Sequence, residues 1–348
     1  MNLQEQVALA PLTTLGVGGP ARYFVAAESE KEIREALRFA AERGLPLFVL
    51  GGGSNLLVAD TGFPGLVLKV RLRGIERVTA GAELTYTVAS GEDWDAFVER
   101  AVEDNCAGIE CLSGIPGSVG ATPVQNVGAY GQDVSETIRE VVALDRQTME
   151  VREFSNSECG FGYRTSIFNT GQRDRYIILR VSFRLHQGGD AAIRYADLQK
   201  VFGAERANPS LQRVRDAVRE IRRSKAMLLV PRDEDSRSAG SFFKNPVVTL
   251  EVCEELAERM ESSGIVMPSY PAGEGMRKLS AAWMVEHAGF AKGYTRGAAG
   301  ISRRHSLAIV NRGGATAAEI VALKEEIQAR VFAEFGIALQ PEPVFLGF

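Results

Sequence analysis

Residues 51–55, GGGSN, join two segments that are both predicted to be β-strands, LPLFVL before them and LLVAD after them. A P-loop requires GxxxxGK[ST], but no lysine follows these glycines. A Rossmann dinucleotide fingerprint requires a further glycine and then a helix, whereas position 56 is leucine and a strand follows. The sequence therefore excludes both phosphate loops and leaves two alternatives: a nest of backbone amides that binds an anion, or a tight turn between strands.

A second glycine-rich stretch, GIPGSVGATPVQNVGAYG at residues 114–131, favours the anion-binding alternative. Its glycines are separated mostly by small or polar residues. Residues with little or no side chain allow backbone amides to approach a diphosphate closely. Two such loops in one chain fit a large nucleotide cofactor.

Composition narrows the class of protein. The net charge is −4, with 40 basic and 44 acidic residues well mixed, so no broad positive field indicates a nucleic-acid or membrane-surface protein. The N-terminus lacks the pattern of a signal peptide, and no run approaches the roughly 20 apolar residues of a membrane span, so we expect a cytoplasmic protein.

The four cysteines and three histidines are scattered, which predicts reduced thiols and no protein-built metal site. The chemistry is then expected to come from an organic cofactor.

Three segments of mixed helix and strand are predicted along the chain. The first contains strand RYFVAA, a helix from Ser29 to Arg43, and the strands around GGGSN. The second carries strands LTYTVAS, EVVALDR and YIILRVSFRL and a helix with apolar residues at Trp94, Phe97, Val98, Ala101 and Val102. The third contains helices EVCEELAERM and LSAAWMVEHAG and a helix that begins at Thr316, buries Ile320, Leu323, Ile327 and Val331, and ends at Gly336. The fold class is therefore α+β.

Five motifs occur in order along nearly the whole chain: LGGGSNLLV, GIPGSVGATPVQNVGAYG, GYRTSIF, AGSFFKNP and a C-terminal PEP. Together they resemble the UDP-N-acetylenolpyruvoylglucosamine reductase family, flavoenzymes that complete UDP-N-acetylmuramic acid. The first two motifs are shared in looser form with the wider vanillyl-alcohol-oxidase-like (PCMH-type) flavoproteins and imply FAD. The other three imply the reductase.

The resemblance implies a two-part FAD-binding domain of that type and a C-terminal α+β substrate-binding domain. We place FAD-binding subdomain 1 at residues 1–69, subdomain 2 at 70–225 and the substrate-binding domain at 226–337. The C-terminal strand, 338–348, is assigned a possible return to subdomain 1.

The resemblance also implies that both glycine loops hold FAD, with NADPH as co-substrate. The candidate cofactor-binding residues are Gly51, Gly52, Gly53, Ser54, Asn55, Gly114, Pro116, Gly117, Ser118, Gly120, Ala121, Gln125, Asn126, Gly128, Tyr130 and Gly131. Many of the wider flavoproteins attach the flavin to a histidine in or near the first loop. No histidine precedes His186 here, so we expect non-covalent FAD.

The implied reaction places hydride on a vinyl carbon and leaves an enolate that must be stabilised and protonated. By resemblance, Arg164 holds the substrate carboxylate and stabilises the enolate, Glu342 assists at the enol oxygen, and Ser241 donates the proton. A serine hydroxyl is a weak acid, so this role requires a nearby cation. Without the resemblance, a turn or cap is the commoner role for a serine in such a context. Val344 stands where the family often has arginine, which puts a local ion pair of Glu342 in doubt.

Further substrate contacts are implied at Tyr163, Tyr195, Lys225 and Asn245. Tyr195, in RYADL, resembles the tyrosine of a loop found in the longer, type I group; alternatively it is a core aromatic. Arg222, Arg223 and Lys225 form a basic cluster that suits a diphosphate or a solvated helix face. We expect a monomer with a UDP-sugar substrate and no nucleic-acid or membrane partner. The alternative functions are an FAD oxidase of the same superfamily and a non-catalytic flavin-binding module.

Overall fold

A computed structural model describes residues 1–81, 83–203, 208–261 and 264–348. The chain divides into two compact units. The first comprises Met1–Val7, Pro20–Gly53 and Phe63–Leu228, and the second Ala8–Gly19, Ser54–Gly62 and Leu229–Phe348. No helix in the described ranges combines the length and apolar character needed to cross a bilayer.

The first unit begins with a four-stranded sheet and one helix. The strands are β1 (Leu3–Ala8), β2 (Pro20–Ala27), β3 (Leu47–Leu50) and β5 (Phe63–Val70), in the order β1-β2-β5-β3, and β5 is parallel to both neighbours. Helix α1 (Glu30–Glu42) starts at Ser29, whose side chain accepts a hydrogen bond from the amide of Glu32. Helix α1 buries Ile33, Ala36, Leu37 and Ala40, whereas Ala41 is exposed.

A six-stranded antiparallel sheet forms the rest of the framework of the first unit. Its strands are β6 (Ile75–Ala80), β7 (Glu83–Ala89), β8 (Cys106–Ala107), β11 (Ile138–Asp145), β12 (Val151–Ser155) and β13 (Tyr176–Gln187). Helix α2 (Trp94–Glu103) buries all five predicted apolar positions. Two short strands, β9 (Gly128–Ala129) and β10 (Gln132–Asp133), and two helices, α3 (Ala196–Phe202) and α4 (Leu211–Ser224), complete this unit.

The second unit has a separate hydrophobic core built around α7 (Ala317–Phe335). The buried stripe of α7, its Thr316–Glu319 capping box and its left-handed C-cap at Gly336 confirm the sequence prediction. Helices α5 (Leu250–Glu261) and α6 (Ala281–His287) lie in the same unit. Two three-stranded sheets contain β14 (Val247–Thr249), β15 (Ser269–Pro271) and β16 (Met276–Leu279), and β17 (Thr295–Arg296), β18 (Ala299–Ile301) and β19 (Ile309–Asn311).

Residues 54–62, which begin within the first glycine loop, belong to the second unit. Strand β4 (Leu56–Val58) pairs in parallel with β20 (Val344–Leu346), and Asp60 accepts hydrogen bonds from the amides of Ala317 and Ala318 at the start of α7. A division of residues 1–69 from 70–225 would follow the two sheets of the first unit and stays a proposal. The compact units do not follow the predicted division, because residues 54–62 belong to the second unit and not to the unit that contains the two sheets.

Candidate active site

The backbones of the two glycine loops approach each other closely within the first unit. A Cβ added to Gly52 would lie 2.5 Å from the Cα of Gly117, and one added to Gly51 would lie 2.8 Å from Ser118 Oγ. Gly117 also has a φ of +137°, which residues with a side chain rarely adopt. These glycines are therefore needed for loop-to-loop contact, in addition to any contact with a ligand.

Several backbone amides of these loops are available to an anion. In the described part of the chain, the amides of Gly52, Gly53, Gly117 and Ser118 donate no hydrogen bond, although Gly53 and Ser118 are buried. Buried backbone donors normally have a partner. Four unpaired amides on two loops in contact fit the diphosphate of a dinucleotide cofactor.

Hydrogen bonds to neighbouring segments hold the second glycine loop in place. Residues 117–120 pair with residues 90–94 at the start of α2, since Trp94 N donates to Gly117 O at 3.1 Å and Gly120 N to Ser90 O at 2.9 Å. Arg222 donates from Nε to Gly114 O at 3.1 Å, and its terminal nitrogen donates to Met227 O at 2.6 Å. Burial lowers the pKa of the Arg222 guanidinium. The solvated-face alternative is wrong for Arg222, which is 9% exposed.

The Asn126 side chain connects the second loop to the segment that carries Arg164. Its Nδ2 donates to Gly162 O at 3.0 Å, and its Oδ1 accepts from the amide of Ser135 at 3.1 Å. A contact of Asn126 with the cofactor stays a prediction. Among the other loop candidates, the buried residues are Gly114, Gly128 and Tyr130, the half-buried ones are Pro116, Gly120 and Gln125, and the exposed ones are Ala121 and Gly131.

Arg164 has an unusual backbone conformation. Its φ is +55°, a left-handed value that costs energy for a residue with a side chain and is often found at functional sites. Its guanidinium donates to Gly128 O at 2.6 Å and lies 5.4 Å from the ring of Tyr163. Arg164 is thereby fixed against the second glycine loop, next to a 42%-exposed tyrosine.

Three of the predicted site residues come together in the first unit. The rings of Tyr130 and Tyr195 meet edge to face with centroids 5.5 Å apart, and Lys225 Nζ lies 6.0 Å from the ring of Tyr130. Burial opposes the charge of Lys225, but its 2.5 Å ion pair with Asp197 outweighs this and raises the pKa of Lys225. Tyr195 is 45% exposed, so it is not an ordinary core aromatic.

Glu110, which no sequence motif singles out, is a buried residue that holds together the segments around this cluster. Glu110 is 0% exposed and accepts hydrogen bonds from the amides of Gly108 and Ala192, both at 2.8 Å. It also accepts one from Gln132 Nε2 at 2.9 Å. Glu110 therefore connects the end of the second glycine loop to the segment that leads to Tyr195. Nothing in the local sequence ECLSG distinguishes Glu110 from a surface glutamate.

In the second unit, Ser241 contacts a histidine. Ser241 Oγ lies 3.0 Å from His305 Nε2, within hydrogen-bonding distance. The two residues are 64 positions apart, so no local sequence pattern predicts this contact. A serine beside an imidazole can both hold a defined hydroxyl orientation and exchange a proton.

The segment that carries Ser241 is hydrogen-bonded to the segment that carries Glu342. The amide of Phe242 donates to Leu307 O at 2.7 Å, and the amide of Glu342 donates to Phe242 O at 2.9 Å. Phe243 and Pro341 form an antiparallel bridge in the same region. Chain segments around residues 242, 307 and 341 therefore lie side by side.

The end of the first glycine loop is attached to this arrangement. Asn55 Nδ2 donates to Glu342 O at 3.2 Å, and Asn55 O accepts from the amide of Val344 at 2.9 Å. Thr14 Oγ1 donates to the carbonyl oxygens of Ser54 and Ser238. Asn245, a predicted substrate contact, uses its Oδ1 to accept from the amide of Ala281 at 3.0 Å. Arg164 belongs to the first unit, and Ser241 and Glu342 belong to the second.

Comparison with known proteins identifies the family. The model of the UDP-N-acetylenolpyruvoylglucosamine reductase C-terminal domain matches residues 231–346, and that of an FAD binding domain matches residues 21–148. The UDP-N-acetylenolpyruvoylglucosamine reductase of Thermobifida fusca (strain YX) is 48% identical over 99% of this chain and 98% of its own length. The chain belongs to the UDP-N-acetylenolpyruvoylglucosamine reductase family. The resemblance inferred from the five motifs is confirmed.

Other members of the reductase family agree with this assignment. The UDP-N-acetylenolpyruvoylglucosamine reductase of Streptomyces avermitilis is 46% identical over 100% of this chain and 96% of its own length. The crystal structure of the reductase from Thermus caldophilus superimposes with a TM-score of 0.67 at 25% identity, covering 99% of both chains. The fold is therefore α+β, with an FAD-binding domain followed by the C-terminal domain of the reductase family.

Proposed function

We infer that this protein reduces UDP-N-acetylglucosamine enolpyruvate to UDP-N-acetylmuramate, using NADPH and FAD. Membership of the reductase family supports this reaction. The observation that carries the catalytic assignment is the pairing of the Ser241 segment with Glu342, within the region that matches the reductase C-terminal domain. A flavin-binding module without activity has no need for a serine, an imidazole and a carboxyl group on neighbouring hydrogen-bonded segments.

The residues proposed to hold FAD are those of the two glycine loops. The unpaired amides of Gly52, Gly53, Gly117 and Ser118 supply donors for its diphosphate. When bound, FAD takes a hydride from NADPH and supplies it to the vinyl carbon. We propose that the cofactor is non-covalent, since all three histidines of the chain lie at or after position 186.

The side chains of this protein then handle charge and protons. We assign Arg164 to the substrate carboxylate, because a planar guanidinium binds a carboxylate with two parallel hydrogen bonds and keeps its charge at all working pH values. We assign Glu342 to the enol oxygen and Ser241 to protonation of the carbon next to the carboxylate. These groups stabilise negative charge as it develops and then remove it by proton transfer.

We assign the UDP-sugar to the exposed tyrosines and the lysine of the first unit, and to Asn245. Tyr195 and Lys225 both contact the ring of Tyr130, and an ammonium group beside aromatic rings suits a sugar diphosphate. Tyr163 lies next to Arg164. With Tyr195 in this role, the protein is placed in the type I group of the family.

We further propose a role in peptidoglycan precursor synthesis, and so in cell-wall formation, cell shape and division, as a cytoplasmic monomer. The four cysteines are all unpaired and buried, which fits a reducing compartment. Size-exclusion chromatography with light scattering tests the monomer: a mass near 37.7 kDa supports it, and a stable dimer contradicts it.

The deciding experiment is NADPH oxidation by the purified yellow protein, with and without UDP-N-acetylglucosamine enolpyruvate, under nitrogen and then in air. Oxidation that requires the UDP-sugar and proceeds without oxygen is the expected result. Consumption that requires oxygen and ignores the UDP-sugar would instead assign the protein to the flavin oxidases. Mass spectrometry should show a product heavier than the substrate by two hydrogens.

A further inference from the structure

His305 occupies a position from which it can act on the proposed proton donor. In the part of the chain that the structure describes, His305 Nε2 is the one hydrogen-bond partner of Ser241 Oγ, at 3.0 Å. A serine hydroxyl that gives its proton to carbon becomes an alkoxide, a strong base that needs a proton at once. The imidazole of His305 is a titratable group within hydrogen-bonding distance of that oxygen.

The main chain holds His305 and Ser241 in a fixed relation. His305 lies in the turn between β18 and β19, and the carbonyl of Leu307 in the same turn accepts from the amide of Phe242. The carbonyl of His305 accepts from the amide of Ala308 at 3.2 Å. Both side chains therefore project from segments that are hydrogen-bonded to each other, which limits their relative movement.

Acidic residues also anchor this turn. Arg304 forms ion pairs with Asp233 and Asp235, and Asp235 accepts a hydrogen bond from the amide of Arg303 at 3.3 Å. Ser306 donates to Glu286 of α6. The charged groups on the elements around His305 include Arg303 and Arg304 on the turn, Asp233, Glu234, Asp235 and Arg237 on the 233–237 segment, Glu286 on α6 and its partner Lys292, Arg312 after β19, and Lys244 and Glu342 on the paired segments.

We propose that His305 acts through Ser241 as a positioning residue and proton relay in the reduction inferred above, on which this proposal rests. As imidazolium, His305 donates its Nε2 hydrogen to Ser241 Oγ, which leaves the serine hydrogen free for the substrate. The C–H bond forms as the Ser241 O–H bond breaks. The alkoxide then takes the Nε2 proton, and the neutral imidazole regains a proton from water. No electron is gained or lost by either residue.

The test separates the two half-reactions in the FAD-bound enzyme by stopped-flow spectroscopy. Reduction of the flavin by NADPH does not use Ser241, and oxidation of the flavin by the enolpyruvyl UDP-sugar does. His305→Phe keeps a ring but removes the proton. It should leave the first rate within about 2-fold and slow the second by about 100-fold, the range expected for loss of a general acid.

His305→Gln separates a relay from a hydrogen bond alone. The glutamine amide can donate to Ser241 Oγ but cannot release a proton, so we expect the second half-reaction to slow by about 10-fold or more. We expect the pH profile of that half-reaction to show an ionisation in the wild-type enzyme and to lose it in this variant. A merely structural histidine would not produce this change. His287→Gln is the matched control, because His287 is exposed and stacks on Trp283 in the same unit.

The outcomes distinguish this proposal from those on which it rests. An unchanged second half-reaction in His305→Phe, or equal slowing of both halves, would overturn the relay. Full activity of His305→Gln with an unchanged pH profile would also overturn it. If Ser241→Ala protonates substrate normally, the relay fails while the reductase reaction stands. If wild-type enzyme shows no oxidation of reduced flavin by the UDP-sugar, the proposed function itself fails.

Discussion

The backbone amide of Glu342 donates a hydrogen bond to the carbonyl oxygen of Phe242, 2.9 Å away. Phe242 follows Ser241 directly, so this bond places the proposed enol-stabilising carboxyl group beside the segment that carries the proposed proton donor. The bond uses main-chain atoms only. We therefore expect it to persist when the Glu342 side chain is changed, so chemistry can be tested at this position without disturbing the pairing of the two segments.

Glu342→Ala should slow flavin oxidation by the UDP-sugar by about 100-fold, the cost of removing one donor to a developing oxyanion. Glu342→Gln should be intermediate, because its amide can still donate. Flavin reduction by NADPH should change by less than about 2-fold in both. Stopped-flow absorbance of the flavin measures each step. Glu334→Ala, an exposed position on α7, is the control. Wild-type rates in Glu342→Ala would remove this residue from the mechanism.

Arg164→Lys should raise KM for the UDP-sugar and lower kcat/KM by about 10- to 100-fold, because an ammonium group keeps the charge but loses the planar fork. The hydrogen bond to Gly128 O is also weakened in this variant. Steady-state kinetics with varied UDP-sugar provide the measurement. Arg173→Lys, an exposed residue in the same unit, serves for comparison. A change confined to KM for NADPH would contradict the assignment to the substrate carboxylate.

Gly52→Ala should weaken FAD binding by about 10-fold or more, because the added Cβ would lie 2.5 Å from Gly117 Cα and overpacking of this kind costs about 1–3 kcal/mol. Equilibrium dialysis, followed by flavin fluorescence, measures the dissociation constant. Gly171→Ala is the control, since an added Cβ there meets nothing within 4 Å. Equal FAD affinity in the two variants would mean that the contact between the glycine loops does not shape the cofactor site.

Glu110→Gln should lower the free energy of unfolding by about 3 kcal/mol, since three N–H groups converge on this buried carboxylate and an amide cannot accept from all of them. Urea denaturation provides the measurement. Glu103→Gln, at the exposed end of α2, should change stability by less than about 0.5 kcal/mol. A small effect at Glu110 would indicate that the structure relaxes around the amide.

Asp95→Asn should reveal a pH-dependent contribution to stability. Burial opposes ionisation of Asp95, but hydrogen bonds from Arg215 and the Gly114 amide, with the charges of Arg215 and Arg219, lower its pKa below the ordinary 3.8. A lowered folded-state pKa gives stability that is complete above pH 3.8 and is lost as the pH falls through the lowered value.

The wild-type protein should therefore exceed Asp95→Asn in free energy of unfolding by about 2 kcal/mol at pH 7, and this difference should shrink toward pH 3. Urea denaturation across this pH range measures it. Asp216→Asn, exposed on α4, provides the comparison. A difference that stays constant with pH would show that the ion pairs of Asp95 do not govern its contribution.

The amino-acid sequence by itself determined the local elements and the family. Ser29 and Thr316 cap the helices that their spacing predicts, and Gly336 ends α7, because capping depends on residues within one turn. The glycine loops and the GYRTSIF and AGSFFKNP motifs were sufficient for the family, since each depends on a short run of residues. Their order along the chain added specificity.

Tertiary structure alone decided which distant residues meet. Residues 54–62 join the second unit through the pairing of β4 with β20, nearly 290 positions later, and no local pattern encodes a strand's partner. Arg222 is buried against Gly114, although its neighbours in sequence suggest a solvated face. Ser241 contacts His305 because their two distant segments are hydrogen-bonded to each other. Strand pairing at long range brings together side chains whose local sequences carry no sign of each other.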